Sequence, residues 1–194
     1  MMAQRPAVFL DRDGVINREM NYVHRIEDFH FLEGVFEACR EIQRAGYRLV
    51  IITNQAGIAR GYYSEEDYRV LTDWMLAQFI QQGIAIAGVY YCPHHPVHGI
   101  GEYRRACDCR KPAPGMITRA AREHSLDLAR SALVGDKLSD IEAGRAAGVG
   151  CCVLVRTGHP VSDTDAARAD CIFPDLAAFA DALRERVGYT ARCC

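Results

Sequence analysis

Long apolar runs, a strong net charge and internal repeats are all missing from this 194-residue chain. No stretch is apolar over the roughly 20 residues that a membrane-spanning helix needs, so we expect no association with a membrane. The first residues, MMAQRP, lack the apolar centre of a signal peptide, and we therefore expect a cytoplasmic protein. The formal net charge of -2 provides no basic field, which argues against nucleic acid as the main partner.

The nine cysteines are an odd number, which in a reducing compartment favours thiols, metal ligands and core packing over a complete disulfide framework. Four of them lie in apolar segments and are predicted to pack in the core: Cys39, Cys151, Cys152 and Cys171. Cys193 and Cys194 end the chain and are predicted to lie in a frayed tail. The length of the chain predicts a single domain over residues 1–194.

Apolar, strand-like runs alternate with helical stretches along the chain. The runs are 8–11, 49–53, 89–92, 132–136, 151–155 and 171–173, and the helical stretches are 34–45, 64–83, 114–121, 138–147 and 176–187. This alternation predicts an α/β fold with a Rossmann-like, doubly wound parallel sheet and helices on both of its faces. The irregular segment 93–112 is long for a compact domain, so it needs a stabiliser or a function of its own.

Asp11 and Asp13 follow the first apolar run and precede Gly14, which permits the chain to turn sharply. Both carboxylates are therefore predicted at the carboxyl end of a buried strand, where open α/β sheets bind their ligands. Two carboxylates this close are stable when a cation lies between them or when one of them holds a proton. A solvated Asp-x-Asp-Gly turn is the alternative.

Other polar residues are predicted at the same edge of the sheet. They are Thr53, Asn54 and Gln55 after the second run, Arg110 and Lys111 before Pro112, and Asp136 and Asp140 after the fourth run. Taken singly, these groups are typical of a turn, a solvated surface pair and a helix cap. Together they supply the nucleophile, the oxygen ligands and the positive charges that phosphoryl transfer requires.

Two close pairs of possible metal ligands bracket the long irregular segment, and we call residues 92–109 the zinc loop. The pairs are Cys92 with His94 and Cys107 with Cys109. Three thiolates and one imidazole are a normal structural set for Zn²⁺, which would stabilise a segment with few apolar residues. His95 and His98 are competing ligands, and free cysteines in a loop are the alternative. A closed site of four protein ligands leaves no position for a catalytic water, so the predicted role of zinc is structural.

The four motifs of haloacid dehalogenase superfamily phosphatases resemble segments of this chain in order and spacing: Asp11-Arg12-Asp13-Gly14, Thr53, Lys111, and Gly135-Asp136 with Asp140. The resemblance implies that Asp11 attacks phosphorus and forms an aspartyl phosphate. It implies that Asp13 protonates the leaving oxygen and then activates the hydrolytic water. It also implies Mg²⁺ on Asp11, Asp136 and the backbone carbonyl of Asp13, with Thr53 and Lys111 as further catalytic residues. Asp140 is expected to support Lys111 or the loop instead of contacting the metal.

With the zinc loop included, the chain resembles a narrower family, the D-glycero-D-manno-heptose 1,7-bisphosphate 7-phosphatases, from Asp11 through the final strand. This resemblance implies removal of the 7-phosphate on the route to ADP-heptose and lipopolysaccharide. No inserted domain interrupts the chain, so the protein is expected to be capless, with loops that select the substrate. The predicted substrate-binding residues are Asn17, Glu19, Met20, Asn21, Tyr22, Thr53, Asn54, Gln55, Ala56, Arg110, Lys111 and Lys137.

Two other functions stay open at the level of the sequence. Histidinol-phosphate phosphatases share the aspartates and a comparable zinc loop, but their substrate carries an amine, for which Glu19 is a better neighbour than Arg110. A guanidinium suits the second phosphate of a bisphosphate instead. A zinc-stabilised module that binds nucleic acid or another polyanion is the second alternative, although the net charge disfavours it. Its cations would be Arg104, Arg105, Arg110 and Lys111. The predicted partner is a small phosphorylated sugar, and the predicted oligomeric state is a monomer.

Overall fold

A six-stranded parallel sheet forms the centre of the computed structural model, which describes residues 4–185. The strands are β1 (Ala7–Leu10), β2 (Arg48–Asn54), β3 (Ile86–Cys92), β4 (Ala132–Gly135), β5 (Cys151–Val155) and β6 (Cys171–Phe173). Their spatial order is β3-β2-β1-β4-β5-β6, and every neighbouring pair is parallel. The chain thus winds outward from β1 in both directions, which confirms the predicted doubly wound α/β fold.

Helices connect the strands. They are α1 (Val35–Arg44), α2 (Ala56–Ala59), α3 (Glu65–Gln81), α4 (Gly115–His124), α5 (Leu138–Ala147), α6 (Asp163–Ala166) and α7 (Leu176–Glu185). The five longer helices were predicted. Ser64 begins α3 with a capping box, in which it exchanges hydrogen bonds with Asp67. The four-residue helices α2 and α6 were not predicted, because one turn is too short to show a helical period. Residues 186 and 187 of the predicted last helix, together with Cys193 and Cys194, lie outside the described residues.

The apolar core divides between the two faces of the sheet because successive strand residues point to opposite sides. Val8 and Leu10 pack on one face with residues of α1, α3 and α7. Ala7 and Phe9 pack on the other face with residues of α4 and α5. All four residues of β1 are fully buried, so the strand that carries Asp11 at its end is the most enclosed part of the sheet.

The four cysteines predicted to pack in the core are all buried. Cys39 and Cys152 are free thiols. Cys151 of β5 and Cys171 of β6 are each disulfide-bonded. The prediction that they pack in the core is confirmed, whereas their disulfide-bonded state was not predicted.

Within residues 4–185, none of the helices combines the length and the apolar character that crossing a membrane requires.

Candidate active site

Asp11 and Asp136 lie side by side at the carboxyl edge of the sheet. Asp11 follows β1 directly, Asp136 follows β4, and the two strands are neighbours in the sheet. The backbone N–H of Asp11 donates to the carbonyl of Val134, which extends the pairing by one residue. This is the point where the strand order reverses, the usual position of a ligand in such folds. Both side chains are buried, with 6% exposure for Asp11 and 2% for Asp136.

Lys111 carries the positive charge of the site. Its Nζ lies 2.9 Å from Oδ1 of Asp11 and 2.6 Å from Oδ1 of Asp140, and it also contacts the carbonyl of Ile52 at 3.3 Å. Burial by itself would lower the pKa of Lys111, but the carboxylates of Asp11 and Asp140 outweigh that effect and raise it. Lys111 therefore stays a cation although it is almost completely buried.

The two buried aspartates are difficult to ionise without further positive charge. Burial raises the pKa of Asp11 to about 6, Lys111 opposes this increase, and Asp140 adds to it. Burial also raises the pKa of Asp136, with a second contribution from the nearby Asp11. An additional cation at this position would relieve both penalties.

The arrangement fits a divalent cation with oxygen ligands. Carboxylate oxygens of Asp11, Asp136 and Asp140 lie within 4.8 Å of one another. Oδ1 of Asp136 is buried and has no hydrogen-bond partner among the described residues. Asp140 is engaged by Lys111 and by the backbone N–H of Lys137, at 3.0 Å, so its contact is with Lys111, as the sequence suggested. Asp11 and Asp136 are the carboxylates that remain for a metal ion.

Asp13 faces the same cavity but is held by different donors. Its Oδ1 accepts from Arg12 and from Nδ2 of Asn17, both at 3.0 Å. Its Oδ2 accepts from Arg12 at 2.9 and 3.2 Å, and from Nε2 of Gln55 at 3.4 Å. These donors fix the orientation of the Asp13 side chain.

The end of β2 supplies a hydroxyl and two amides. Nε2 of Gln55 donates to the hydroxyl of Thr53 at 2.8 Å, and Oε1 of Gln55 accepts from Tyr63 at 2.6 Å. The amide of Asn54 exchanges two hydrogen bonds with the backbone of Lys111, at 3.0 and 3.1 Å. β2 thereby fixes the position of the segment that carries Lys111.

A polar cavity of about 350 Å³ opens over these groups. Of the predicted site residues, its lining contains Asp11, Asp13, Glu19, Asn21, Tyr22, Thr53, Asn54, Gln55, Ala56, Arg110, Lys111 and Lys137. Lys137 pairs with Glu19 at 3.4 Å, which joins two sides of the cavity.

Two predicted substrate-binding residues are not part of this lining. Asn17 is fully buried, because the turn after Asp13 brings its backbone into a bridge with Asp13 and directs its amide to that carboxylate and to the carbonyl of Arg18. Met20 is 52% exposed and lies outside the cavity. Asn17 therefore supports Asp13 instead of facing a ligand.

Three lining residues were missed by the sequence analysis: Tyr63, Ser139 and His159. His159 contacts Oδ2 of Asp136 through its backbone N–H at 3.0 Å and through Nδ1 at 2.7 Å. It follows the carboxyl end of β5, so the rule that pointed to Asp11 and Asp136 applies to it as well. Gly158 permits this approach, because a Cβ there would lie 2.1 Å from Oδ2 of Asp136.

The four predicted zinc ligands converge on one point. The three Sγ atoms of Cys92, Cys107 and Cys109 lie 3.2 to 3.4 Å from one another. Nδ1 of His94 lies 3.5 Å from Sγ of Cys109 and 3.8 Å from Sγ of Cys92. Three thiols and an imidazole nitrogen this close fit one tetrahedral Zn²⁺.

The zinc loop also has contacts that need no metal. The hydroxyl of Tyr103 donates to Glu65 of α3 at 2.8 Å, and the N–H of Ile100 donates to the carbonyl of Ala59 at 2.8 Å. Nη1 of Arg110 donates to the carbonyl of His94 at 3.2 Å. The loop therefore sets the position of Arg110 at the wall of the cavity.

Several known proteins are similar to this chain. A family model described as HAD-hydrolase-like matches residues 108–179. The D-glycero-beta-D-manno-heptose-1,7-bisphosphate 7-phosphatase of Vibrio cholerae is 53% identical over 172 residues, which are 89% of this chain and 92% of that protein. The protein of the same name from Yersinia pestis is 46% identical over 181 residues, which are 93% of this chain and 96% of that protein.

A solved structure has the same fold over nearly its whole length. It is the D,D-heptose 1,7-bisphosphate phosphatase from B. bronchiseptica, complexed with magnesium and phosphate, and it matches with a TM-score of 0.80 and 33% identity. The match covers 93% of this chain and 99% of that chain. The chain belongs to the D-glycero-beta-D-manno-heptose-1,7-bisphosphate 7-phosphatase family of the haloacid dehalogenase superfamily.

Proposed function

We propose that this protein removes the 7-phosphate of D-glycero-D-manno-heptose 1,7-bisphosphate by way of an aspartyl phosphate on Asp11. The observation that carries the proposal is the contact of Asp11 with Lys111, next to Asp136, under a polar cavity with further cations in its wall. The names of the relatives carry the β anomer, which makes the β-bisphosphate the first substrate to test.

In the proposed reaction, a carboxylate oxygen of Asp11 attacks the phosphorus atom of the 7-phosphate. The bond from phosphorus to the sugar oxygen breaks while the carboxyl group of Asp13 gives that oxygen its proton. Water then attacks the aspartyl phosphate, Asp13 takes a proton from this water, and inorganic phosphate leaves. The sugar 1-phosphate is the other product.

Lys111 offsets the repulsion between the Asp11 carboxylate and the phosphate dianion, since its ammonium group lies against Asp11. The hydroxyl of Thr53 and the amide of Asn54 are proposed to donate to phosphate oxygens, as both residues line the cavity. When it is bound by Asp11, Asp136 and the backbone carbonyl of Asp13, Mg²⁺ supplies positive charge to the transferring phosphoryl group.

The sugar and its second phosphate are proposed to occupy the outer part of the cavity, whose volume of about 350 Å³ lies in the range of small-molecule sites. Arg110 is the proposed partner of the 1-phosphate, because a planar guanidinium binds a phosphate through two hydrogen bonds. Lys137 is proposed to bind the same phosphate as a second cation. Glu19, Asn21, Tyr22, Gln55 and Ala56 complete the wall around the sugar.

The Cys92, His94, Cys107 and Cys109 cluster is proposed to bind a structural Zn²⁺. All four ligands come from the protein, so the metal would hold the zinc loop and, through it, Arg110 and Lys111. We further propose a single domain that acts as a cytoplasmic monomer in ADP-heptose synthesis for lipopolysaccharide, with a small phosphorylated sugar as substrate and neither nucleic acid nor a membrane as partner.

Comparative turnover tests this function. The purified protein with Mg²⁺ is offered the β and α anomers of heptose 1,7-bisphosphate and histidinol phosphate, and ³¹P NMR identifies which phosphate is lost. We expect the 1-phosphate to remain and Asp11→Asn to be inactive. Equal or faster turnover of histidinol phosphate would overturn the substrate assignment. An active Asp11→Asn variant would overturn the nucleophile.

A further inference from the structure

Arg12 is the largest fully buried side chain of the protein, and its charge is directed at a single carboxylate. It is 1% exposed and lies between the two aspartates of the first motif. Among the described residues, Asp13 is the only acidic side chain with which Arg12 forms an ion pair, at 2.9 Å. Burial of a guanidinium is costly unless its hydrogen bonds are satisfied, so this pairing indicates a specific task.

The contact between the two residues fixes the orientation of the carboxylate. Nε and Nη2 of Arg12 both donate to Oδ2 of Asp13, at 3.2 and 2.9 Å, and Nη2 also reaches Oδ1 at 3.0 Å. A rigid fork that contacts both oxygens restrains rotation of the carboxylate about its own axis. Asn17 and Gln55 add one donor to each oxygen.

The guanidinium is itself fixed from other sides. Nη2 donates to the carbonyl of Val23 at 2.7 Å, and the guanidinium carbon lies 5.9 Å from the ring centroid of Phe29. Val23 ends the segment that contributes Glu19, Asn21 and Tyr22 to the cavity wall. One side chain thus connects Asp13 to the segment that borders the proposed sugar site.

We propose that Arg12 is a positioning residue that holds the Asp13 carboxyl group in the orientation required for proton transfer to the leaving oxygen. This inference rests on the proposed function of Asp13. Arg12 is buried behind Asp13 and does not line the cavity, so it acts on the reaction through Asp13 and touches neither the sugar nor the phosphate.

A pair of aryl phosphates of similar shape separates positioning from a general structural role. Phenoxide is a poor leaving group and needs a proton from Asp13, whereas 4-nitrophenoxide departs without one. The parameter to compare is kcat/KM, because it reports the steps up to departure of the leaving group. Loss of positioning therefore reduces kcat/KM for phenyl phosphate far more than for 4-nitrophenyl phosphate.

For Arg12→Met we expect kcat/KM with phenyl phosphate to fall about 10- to 100-fold, a part of the effect of a positioned general acid. We expect a fall of less than about fivefold with 4-nitrophenyl phosphate, which needs no acid. Asp13→Asn, which lacks the general acid altogether, gives the largest fall in kcat/KM that loss of positioning can cause. Arg12→Lys keeps the charge but not the fork, so we expect an intermediate effect.

Ser131→Ala is the matched control for reduced stability. The buried Ser131 hydroxyl accepts from the N–H of Ala7 and donates to the carbonyl of Asp127, at the opposite end of the sheet from Asp13. We expect this variant to have a lower Tm but to change kcat/KM by the same factor for both aryl phosphates. Circular dichroism establishes which variants are folded. If Arg12→Met does not fold, the comparison of the two esters is made with Arg12→Lys.

Equal losses on both esters, or no loss on either, would overturn the positioning role of Arg12. An error in the proposed function itself would give a different result. The wild-type protein would then hydrolyse the aryl esters without preferring heptose bisphosphate, or Asp11→Asn would keep its activity.

Discussion

The ammonium group of Lys111 lies 2.6 Å from Oδ1 of Asp140, a carboxylate with no exposure to solvent. The same ammonium group also contacts Asp11, so one cation balances two buried carboxylates. When one partner of a set of buried ion-paired side chains is removed, the charges that remain are buried without an opposite charge. This lowers the free energy of unfolding more than removal of the whole set does.

Lys111→Met is expected to lower the free energy of unfolding by about 3–5 kcal/mol, the usual cost of breaking a buried ion pair, and to abolish turnover. Adding Asp140→Asn is expected to recover part of the stability, because one of the two uncompensated carboxylates is then neutral, but no activity. Urea unfolding without Mg²⁺ measures both variants. A Lys111→Met protein as stable as the wild type would contradict this balance of charges.

Mg²⁺ binding is expected to weaken below pH 6. Because burial raises the pKa of Asp11 to about 6, the metal-free site holds a proton at lower pH, and the cation must displace it. Affinity should fall by about tenfold for each pH unit below 6. Calorimetric titration at pH 5 and pH 7.5 measures the difference, and equal affinities would contradict it.

The same shift affects the stability of the metal-free protein in the opposite direction. The folded state binds the Asp11 proton more tightly than the unfolded chain does, since burial raises the pKa of the folded carboxyl group. The stabilisation of the folded state by this proton is fully present below the ordinary pKa of 3.8 and is lost as the pH rises through about 6. The increase in Tm produced by Mg²⁺ should therefore be larger at pH 7.5 than at pH 5.

Loss of zinc is expected to reduce kcat through the position of Lys111. Cys109 is two residues before Lys111, and Arg110 donates to the carbonyl of His94 within the zinc loop. We expect one zinc per chain in the wild type, measured by elemental analysis, and neither zinc nor normal activity in Cys107→Ala. Cys39→Ala, which changes a buried thiol of α1, should keep its zinc. Full activity of a zinc-free Cys107→Ala protein would contradict the proposed role of the loop.

The sheet and most of the site were predictable because they depend on local patterns. Apolar runs identified all six strands, and polar residues at the carboxyl ends of β1, β2 and β4 had to meet at one edge once those strands were parallel. The pairing of Lys111 with Asp140 was implied by the resemblance to haloacid dehalogenase superfamily phosphatases. These predictions needed the order of the strands and nothing about side-chain conformation.

The remaining features depend on contacts between distant segments. The direction of Asn17 is decided by the turn that brings its amide to Asp13, and a residue pattern does not contain that information. His159 reaches Asp136 only because Gly158 has no side chain. The disulfide-bonded state of Cys151 and of Cys171 depends on how distant segments meet in the fold, which the number and spacing of cysteines do not determine.

His159 is expected to strengthen Mg²⁺ binding by orienting Asp136. It engages Oδ2 through two nitrogens, whereas Oδ1 has no hydrogen-bond partner within residues 4–185. Groups that orient a metal-binding carboxylate are typically worth a factor of about 10 to 100 in affinity, so His159→Ala should weaken binding at the lower end of that range, because its backbone donor remains. His124→Ala, on α4 and outside the cavity, is the control. An unchanged affinity in His159→Ala would show that the ring does not orient Asp136.

Arg110 is expected to distinguish a bisphosphate from a monophosphate. It lines the cavity beside Lys111, and loss of a guanidinium contact to phosphate typically costs about 1.5–3 kcal/mol. Arg110→Gln should therefore raise KM for heptose 1,7-bisphosphate by at least about tenfold while changing KM for heptose 7-phosphate much less. Arg119→Gln, which removes a surface cation paired with Glu123, controls for the loss of charge. Equal changes in KM for the two substrates would show that Arg110 does not bind the 1-phosphate. The same measurement on Lys137→Gln would then decide whether Lys137, which lies 3.4 Å from Glu19, binds the 1-phosphate instead.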